Sequence, residues 1–356
     1  MPLPRKALVD PARCGAYHLI SRCVRRAFLL GHAAECRRAW VREVMREAAG
    51  AFAVDVLAYA AMSNHLHIVV RTDPERACAW SASEVAQRWA SAHPRQTRDG
   101  AALAWSSGEI AARAADALWV STARDRLRSL SWFMKCIKER LARRANRADR
   151  CTGHFWEGRF QSVPLLDQAG VIAAMAYVDL NPIRAGLADR PEASDFTSVQ
   201  DRCRARQAHA AARRVVPSLA AVSDASSNHA AAESDAESGL WIAPIVRATV
   251  DQPAGCAFTA ALTLDDYLTL VDATGRIVRT GKRGAIPTHL SPILDRLRLD
   301  LDAWMQLMST GGGFRGGGFG ALASRAREAL RRGAQWIVDI TAGLYRDDRP
   351  PRPSTA

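Results

Sequence analysis

The sequence contains no apolar run that approaches the roughly 20 residues needed for a membrane-spanning helix. Its first residues, 1–6, lack the apolar stretch of a secretory signal. The eight cysteines form no C-x-x-C pair and follow no regular spacing, so they indicate neither a zinc ribbon nor a disulfide framework. Together these absences predict a cytoplasmic protein with reduced thiols and no membrane partner.

Acidic residues are too few to balance the basic ones. The chain has 49 Lys and Arg against 36 Asp and Glu, a formal charge of +13 and a pI near 10.0. A surplus of this size favours a polyanionic partner, and nucleic acid is the first candidate, which would place the protein with the nucleoid. The alternative is that the arginine content reflects genome composition and indicates no particular partner.

The apolar spacing alternates between strand and helix patterns along the first 200 residues. The predicted order is β-α-β-β-α-β-α, which is typical of a ferredoxin-like sheet with added helices. A polar turn at 62–64 joins two of the strands into a hairpin, and a basic helix with one apolar face covers 123–146. The other predicted segments are a strand at 16–24, a helix at 33–50, strands at 53–61 and 65–71, a helix plus irregular insert at 80–122, a loop and strand at 154–165, and a helix that Asp167 caps and that runs to about Asn181.

Composition changes sharply at 207–239, where Ala, Ser, Asp and His replace large apolar residues. This segment is predicted to be a flexible linker between a catalytic domain at 1–206 and a C-terminal extension of unknown role at 240–356. The Gly-rich tract at 311–320 lacks the Gly-Lys-Ser/Thr ending of a phosphate-binding loop, so it is interpreted as a mobile loop. The predicted fold class is therefore α+β, an RRM-like antiparallel sheet with helices followed by a mostly helical extension.

The first candidate site is His65-Leu66-His67, which follows the predicted turn. Residues i and i+2 of a strand point to the same face, so both imidazoles would leave one side of the sheet while Leu66 enters the core. This arrangement would align two metal ligands. Taken alone, the short pattern is more typical of a strand with two surface histidines.

The second candidate site is the pair Tyr177 and Asn181, with Pro182 next in the chain. Residues four apart share a helix face, so a phenol and a carboxamide oxygen can be offered to one site. The alternative is a half-buried core tyrosine and an asparagine that caps the end of a helix.

Three segments, in order, resemble the REP-associated tyrosine transposases, which belong to the histidine-hydrophobic-histidine endonuclease superfamily and are relatives of single-tyrosine insertion-sequence transposases. The resemblance spans roughly residues 12–203, with a long insert between 73 and 122. The segments are Asn64-His65-Leu66-His67-Ile68-Val69, Phe155-Trp156-Glu157-Gly158-Arg159-Phe160 and Tyr177-x-x-x-Asn181-Pro182-x-Arg184-Ala185-Gly186-Leu187.

This resemblance implies an enzyme that nicks and rejoins single-stranded or hairpin DNA. It implies that His65 and His67 bind the metal, that Tyr177 is the nucleophile, and that the product is a 5′-phosphotyrosine with a free 3′-hydroxyl. The third ligand of the classical enzymes is a glutamine and falls here on Asn181, which is one methylene shorter. Two imidazoles and an amide oxygen suit Mg²⁺ or Mn²⁺.

Basic and aromatic residues are predicted to bind the DNA, by neutralising phosphates and by stacking on unpaired bases. The alternative for each is a solvated helix face or a core tryptophan. His18, on the first strand, is predicted to be structural or substrate-facing. The predicted DNA-binding residues are Arg124, Arg128, Lys135, Lys138, Trp156, Arg159 and Arg184.

Two other functions remain open: a protein that recognises DNA hairpins without cutting them, and a metal hydrolase in which Tyr177 has no role. Both a monomer and a homodimer are compatible with the sequence.

Overall fold

The computed structural model describes residues 8–31, 36–97, 102–215, 237, 239–245, 262–278 and 322–332. Contacts divide the chain into two compact units. The first unit comprises Val9–Val56 and Ala61–Ser162. The second unit comprises the described residues of Met1–Leu8, Leu57–Ala60 and Val163–Ala356.

Four strands form one sheet. They are β1 (Gly15–Arg22), β2 (Val54–Ala61), β3 (His65–Thr72) and β4 (Gln161–Leu165). Their order in the sheet is β2-β3-β1-β4. The strands β1 and β3 pair antiparallel, with Ile20 opposite His67 and Arg22 opposite His65. The antiparallel sheet with helices, and the helical character of the described C-terminal part, confirm the predicted fold class.

The described helices follow the predicted apolar spacing in most places. The first predicted helix is described from residue 37 onward. The helix after β4 starts at Gln168, and the side chain of Asp167 caps it by accepting the backbone N–H of Gly170 at 2.7 Å. The helices are α1 (Arg37–Ala51), α2 (Pro74–Ala79), α3 (Ala82–Ala92), α4 (Ser107–Ala115), α5 (Ala117–Leu127), α6 (Leu130–Ala148), α7 (Gln168–Asp179), α8 (Asn181–Arg184), α9 (Ser198–Val215), α10 (Leu264–Val278) and α11 (Leu322–Arg331).

The predicted basic helix at 123–146 is two helices in the structure, since α5 ends at Leu127 and α6 begins at Leu130. Ser129 has an extended backbone conformation, and serine is a favoured residue immediately before a helix. The apolar face is as predicted, because its six residues are all buried: Leu127, Leu130, Phe133, Met134, Ile137 and Leu141. It is this face that positions α6 against the core of the first unit.

The insert between β3 and α6 is more regular than predicted. Helices α3 and α4 each begin with a capping box, formed by Ser81 with Glu84 and by Ser106 with Glu109. Two short strands, Arg95–Gln96 and Ala102–Leu103, pair antiparallel between these helices. In each capping box the serine side chain accepts the backbone N–H of the glutamate, and the glutamate side chain accepts that of the serine. These bonds satisfy N–H groups at the start of each helix and favour helix formation in the insert.

In the second unit, α9 continues to Val215, beyond residue 206 where the sequence predicts the linker to begin. Most of the predicted linker and the Gly-rich tract at 311–320 lie outside the described residues. Helix α10 packs against α7 in this unit. Among the described residues, no helix is long and apolar enough to cross a membrane. The three-part domain division stays a prediction, and the compact units follow a different boundary.

Candidate active site

The two histidines of the His65-Leu66-His67 motif lie at the start of β3 in the first unit. Leu66 is fully buried, whereas His65 is half-buried and His67 is 5% exposed. The ring centroids of the two histidines are 4.8 Å apart. The strand alternation therefore places both imidazoles side by side on one face, as the spacing predicts.

Each histidine ring is oriented by a hydrogen bond at Nδ1. The Nδ1 atom of His65 lies 2.6 Å from Oδ1 of Asn64, an oxygen that can only accept, so His65 carries its proton on Nδ1. The Nδ1 atom of His67 lies 2.9 Å from Nε2 of His18 on β1. When His67 donates in this bond, both motif histidines present Nε2 as the nitrogen that would bind a metal.

Burial keeps His65 and His18 neutral, and neutral imidazole is the form that binds metals. Desolvation, together with the nearby charge of Arg22, lowers the pKa of His65 to about 4. Burial also lowers the pKa of His18 to about 3. The neutral ring of His65 and the bonded Nδ1 atoms of both motif histidines thus fit a divalent cation held by His65 and His67. In the described part of the chain, no group of three or more His, Cys, Asp or Glu side chains is placed to bind a metal.

His18 is the residue of this site whose role the sequence alone left open. It is completely buried, and its ring stacks on His67 with centroids 5.1 Å apart. The contact depends on the register of β1 against β3, which places Ile20 opposite His67 and His18 one diagonal away. An alternating strand pattern reveals which face His18 occupies but not its cross-strand neighbour.

Tyr177 and Asn181 lie at the end of α7 and the start of α8 in the second unit. Tyr177 is half-buried, whereas its neighbours Ala176 and Val178 are fully buried. The Asn181 amide donates to the carbonyl oxygens of Tyr177 at 2.9 Å and of Val178 at 3.3 Å. Asn181 therefore caps the last turn of α7, and its Oδ1 is the atom that a ligand role would use.

Arg184 lies beside the Tyr177 ring, with its Cζ atom 4.9 Å from the ring centroid. The Nη1 atom of Arg184 is buried and has no hydrogen-bond partner among the described residues. Burial lowers the pKa of Arg184, while Tyr177 raises it. A guanidinium in this position would stabilise negative charge that develops on the phenol or on a bound phosphate.

The end of α8 fixes the position of Arg184. Gly186 has a φ of 67°, and its N–H donates to Ile183 at 3.0 Å while that of Leu187 donates to Pro182 at 2.9 Å. Pro182 occupies the first turn of α8, where its missing N–H costs no hydrogen bond. The predicted end of the helix before Pro182 is thus a short break between two helices.

Some of the predicted DNA-binding cations contact other protein groups in the structure, and others are exposed to solvent. Arg124 donates to the carbonyl oxygens of Ala77 and Trp80, both at 2.6 Å, and Arg128 pairs with Asp125 at 2.7 Å. Lys135 and Arg159 are exposed.

The remaining candidates in the first unit, Trp156 and Lys138, contact each other. Trp156 is only 8% exposed, and its indole N–H donates to the carbonyl oxygen of Lys138 at 2.9 Å. The ammonium of Lys138 donates to Gly158 at 2.6 Å. Trp156 is therefore packed in this structure, and its stacking on DNA bases stays a prediction.

Comparison with known proteins bears on this site. Residues 14–103, which include β1, β3 and the histidine motif, match the family described as "Transposase IS200 like". Among solved structures, the chain is similar to a REP-associated tyrosine transposase bound to a REP hairpin, with 14% sequence identity and a TM-score of 0.34. That similarity covers 64% of this chain and 96% of the other. No curated protein matches the chain.

Over residues 14–103 the family match agrees with the resemblance to insertion-sequence transposases. This stretch includes His65 and His67 and ends before Tyr177, and the roles of the individual site residues stay predictions.

Proposed function

We propose that this protein is a metal-dependent transposase that nicks and rejoins single-stranded DNA at hairpin-forming sites. In this proposal His65, His67 and Asn181 bind Mg²⁺ or Mn²⁺, and Tyr177 is the nucleophile. A divalent cation held there would polarise the scissile phosphate and stabilise charge on the leaving oxygen.

The observation that carries the proposal is the pair of oriented histidines on β3. Metal-binding histidines usually donate their second ring nitrogen to a neighbouring group, which fixes the tautomer and the ring orientation. Here Asn64 and His18 occupy those positions on His65 and His67.

The helix end that carries Tyr177 supplies the chemistry of a covalent intermediate. The phenol oxygen of Tyr177 would lose its proton and form a bond to phosphorus, while the bond from phosphorus to the 3′ oxygen breaks. The products are a 5′-phosphotyrosine and a 3′-hydroxyl. Attack by a 3′-hydroxyl on the phosphotyrosine reverses the step and joins strands without an external energy source. Arg184, beside the Tyr177 ring, would stabilise the anionic phenol and phosphate oxygens.

The test is to incubate the full chain with labelled single-stranded hairpin DNA taken from around its own gene, in Mn²⁺ or in EDTA. A protein-DNA adduct that survives denaturation is expected in Mn²⁺ and not in EDTA. Tyr177→Phe should abolish the adduct and retain DNA binding. Tyr17→Phe, which removes a hydroxyl from the opposite face of β1 to His18, is the matched control and should form the adduct.

Histidine variants test the metal site separately. His65→Ala and His67→Ala should each abolish the adduct, whereas His154→Ala, an exposed histidine of the same unit, should not. If wild-type protein binds the hairpins and no adduct forms with any of them, the protein recognises DNA without cutting it. If cleavage is metal-dependent and Tyr177→Phe leaves it intact, the protein is a metal hydrolase.

A further inference from the structure

A second surface with the character of a nucleic-acid site lies on α3, α4, α5 and α6 in the first unit. It consists of three half-buried tryptophans from three helices and three cations beside them. We call this surface the tryptophan patch and define it by its six residues: Trp89, Trp119, Trp132, Arg113, Arg126 and Lys135.

The tryptophans of the patch form one cluster. Trp89 on α3 lies 6.1 Å from Trp119 on α5 and 5.9 Å from Trp132 on α6, measured between ring centroids. His93 adds a fourth ring, 4.3 Å from Trp89. Each of these rings is only half-buried, so helices from three parts of the chain bring a partly solvated aromatic surface together. Aromatic rings of this kind are the platforms on which unpaired bases stack.

The cations of the patch lie over these rings. Arg126 is 4.6 Å from the ring centroid of Trp132 and 5.6 Å from that of Trp89. The ammonium of Lys135 is 4.4 Å from the Trp132 ring, and Arg113 is 5.4 Å from the Trp119 ring. Among the described residues, none of these three cations forms an ion pair with a carboxylate.

Neighbouring cations on the same helices have a different arrangement. Arg144 pairs with Glu43 at 2.9 Å, Arg140 with Glu47, and Arg143 with Glu139. Those side chains link α6 to α1 or span one turn of α6, and their charges are neutralised locally. The charges of Arg126 and Lys135 therefore lie at the aromatic rings, where they can pair with phosphates.

The pKa of His93 reflects the charges that surround the tryptophan patch. Burial lowers its pKa to about 4, so the ring is neutral and can stack. Glu139 raises the pKa of His93, whereas Arg140, Lys135 and Arg126 lower it. The carboxylate near this ring, Glu139, is the partner of Arg143.

We propose that the tryptophan patch binds unpaired nucleotides of single-stranded DNA, with bases stacked on the indoles and phosphates against Arg113, Arg126 and Lys135. This site goes beyond the proposed function, because binding there requires neither a metal nor Tyr177. Trp89, Arg113 and Trp119 belong to the segment at 73–122, so the proposal gives that segment a share in DNA binding.

The test uses the full chain with Tyr177→Phe, in EDTA, so that binding is measured without cleavage. The probe is a labelled oligo-dT of about 12 nucleotides, within the range of common single-strand site sizes, and fluorescence anisotropy gives its Kd. Trp132→Ala should weaken binding about tenfold or more. Arg126→Gln with Lys135→Gln should have an effect of similar size. Trp132→Phe, which keeps an aromatic ring, should restore most of the affinity.

The matched controls are Arg143→Gln and Arg144→Gln, which remove the same charge from the same helix at positions already paired with carboxylates. They should change the Kd less than about twofold, because their charges are locally neutralised. A blunt duplex of the same length should bind Trp132→Ala and the parent equally well, since it offers no unpaired bases.

The proposal would be overturned if the control and patch variants lost the same affinity for oligo-dT, or if the patch variants kept the affinity of the parent. It would also be overturned if Trp132→Ala lost as much affinity for duplex as for oligo-dT. Circular dichroism identifies a variant that fails to fold. If Trp132→Ala fails to fold, the affinities of Trp132→Phe and of the double variant Arg126→Gln with Lys135→Gln test the proposal instead. The absence of a covalent adduct would count against the proposed nicking function and leave the patch measurement intact.

Discussion

At the scale of single residues, the orientation of two imidazole rings determines whether the motif can bind a metal. The rings of His65 and His67 project from the same face of β3, and a different neighbour contacts Nδ1 of each. Asn64 precedes His65 directly in the chain, whereas His18 comes from β1. One of these partners is therefore provided by local sequence and the other by strand pairing.

We expect Asn64→Ala to weaken metal binding by about 10- to 100-fold, the usual effect of removing a partner of a metal-binding histidine. The reason is that His65 would lose the acceptor that keeps its proton on Nδ1. The measurement is the Mn²⁺ concentration that gives half-maximal adduct, with binding of Mn²⁺ followed by electron paramagnetic resonance. Asn146→Ala, whose amide bonds to Gly153 elsewhere in this unit, is the control. An unchanged Mn²⁺ requirement would show that Asn64 does not orient a ligand.

Gly186 provides a prediction on stability. Its φ of 67° is left-handed, and no atom lies within 4 Å of an added Cβ, so a substitution is opposed by backbone conformation rather than by space. Gly186→Ala should lower the free energy of unfolding by about 1 kcal/mol, as measured by urea denaturation. Gly186→Asn should cost less, because asparagine tolerates this region better. Equal stability of all three proteins would contradict the proposed role of Gly186 in ending α8.

At the scale of elements, α7 is anchored in the second unit by a buried carboxylate. Asp179, two residues after Tyr177, is fully buried, and burial raises its pKa. It accepts hydrogen bonds from the hydroxyl of Ser198, from the N–H of Val199 at 3.0 Å and from the hydroxyl of Tyr267 at 2.5 Å. Tyr267 lies on α10, so the C-terminal segment contributes directly to the position of the helix that carries Tyr177.

We expect Tyr267→Phe to destabilise the protein by about 1–3 kcal/mol, because one oxygen of a buried carboxylate loses its donor. Arg206→Gln is the comparison, because it removes a partly exposed ion pair between α9 and Asp265 of α10, the helix that also carries Tyr267. Its cost should be below about 1 kcal/mol. Thermal and urea unfolding of both variants would measure the contrast. A larger loss in Arg206→Gln than in Tyr267→Phe would contradict the importance of the buried contact.

Local patterns were sufficient to predict β1 to β4, the hairpin turn and the apolar face of α6, because strand alternation and helical spacing are properties of short segments. The break at Ser129 was missed, since the apolar spacing continues across it. The contacts of His18 with His67 and of Asp179 with Tyr267 could not be predicted, because each joins residues far apart in the chain. In the candidate site, the motif residues were found from sequence, but the partners that orient them were not.

At the scale of the whole molecule, the formal charge of +13 predicts binding to nucleic acid that weakens with salt. For single-stranded DNA, the slope of log affinity against log salt should be about −0.7 for each phosphate contacted. Lys135→Gln should reduce the steepness by about 0.7, and Arg144→Gln, whose charge is paired with Glu43, should leave it unchanged. A titration of oligo-dT between low and physiological salt measures these slopes. Affinity independent of salt would contradict an electrostatic role for the basic surplus.

The central claim is that Tyr177 becomes covalently attached to the 5′ phosphate of nicked DNA. The most direct measurement is mass spectrometry of the adduct formed in Mn²⁺, after digestion with nuclease and trypsin. Cleavage after Arg159 and Arg184 releases a peptide in which Tyr177 is the single tyrosine. We expect a nucleotide phosphate on that residue and a released strand that ends in a 3′-hydroxyl. A nucleotide on any other residue, or a cleaved strand without attached protein, would contradict it.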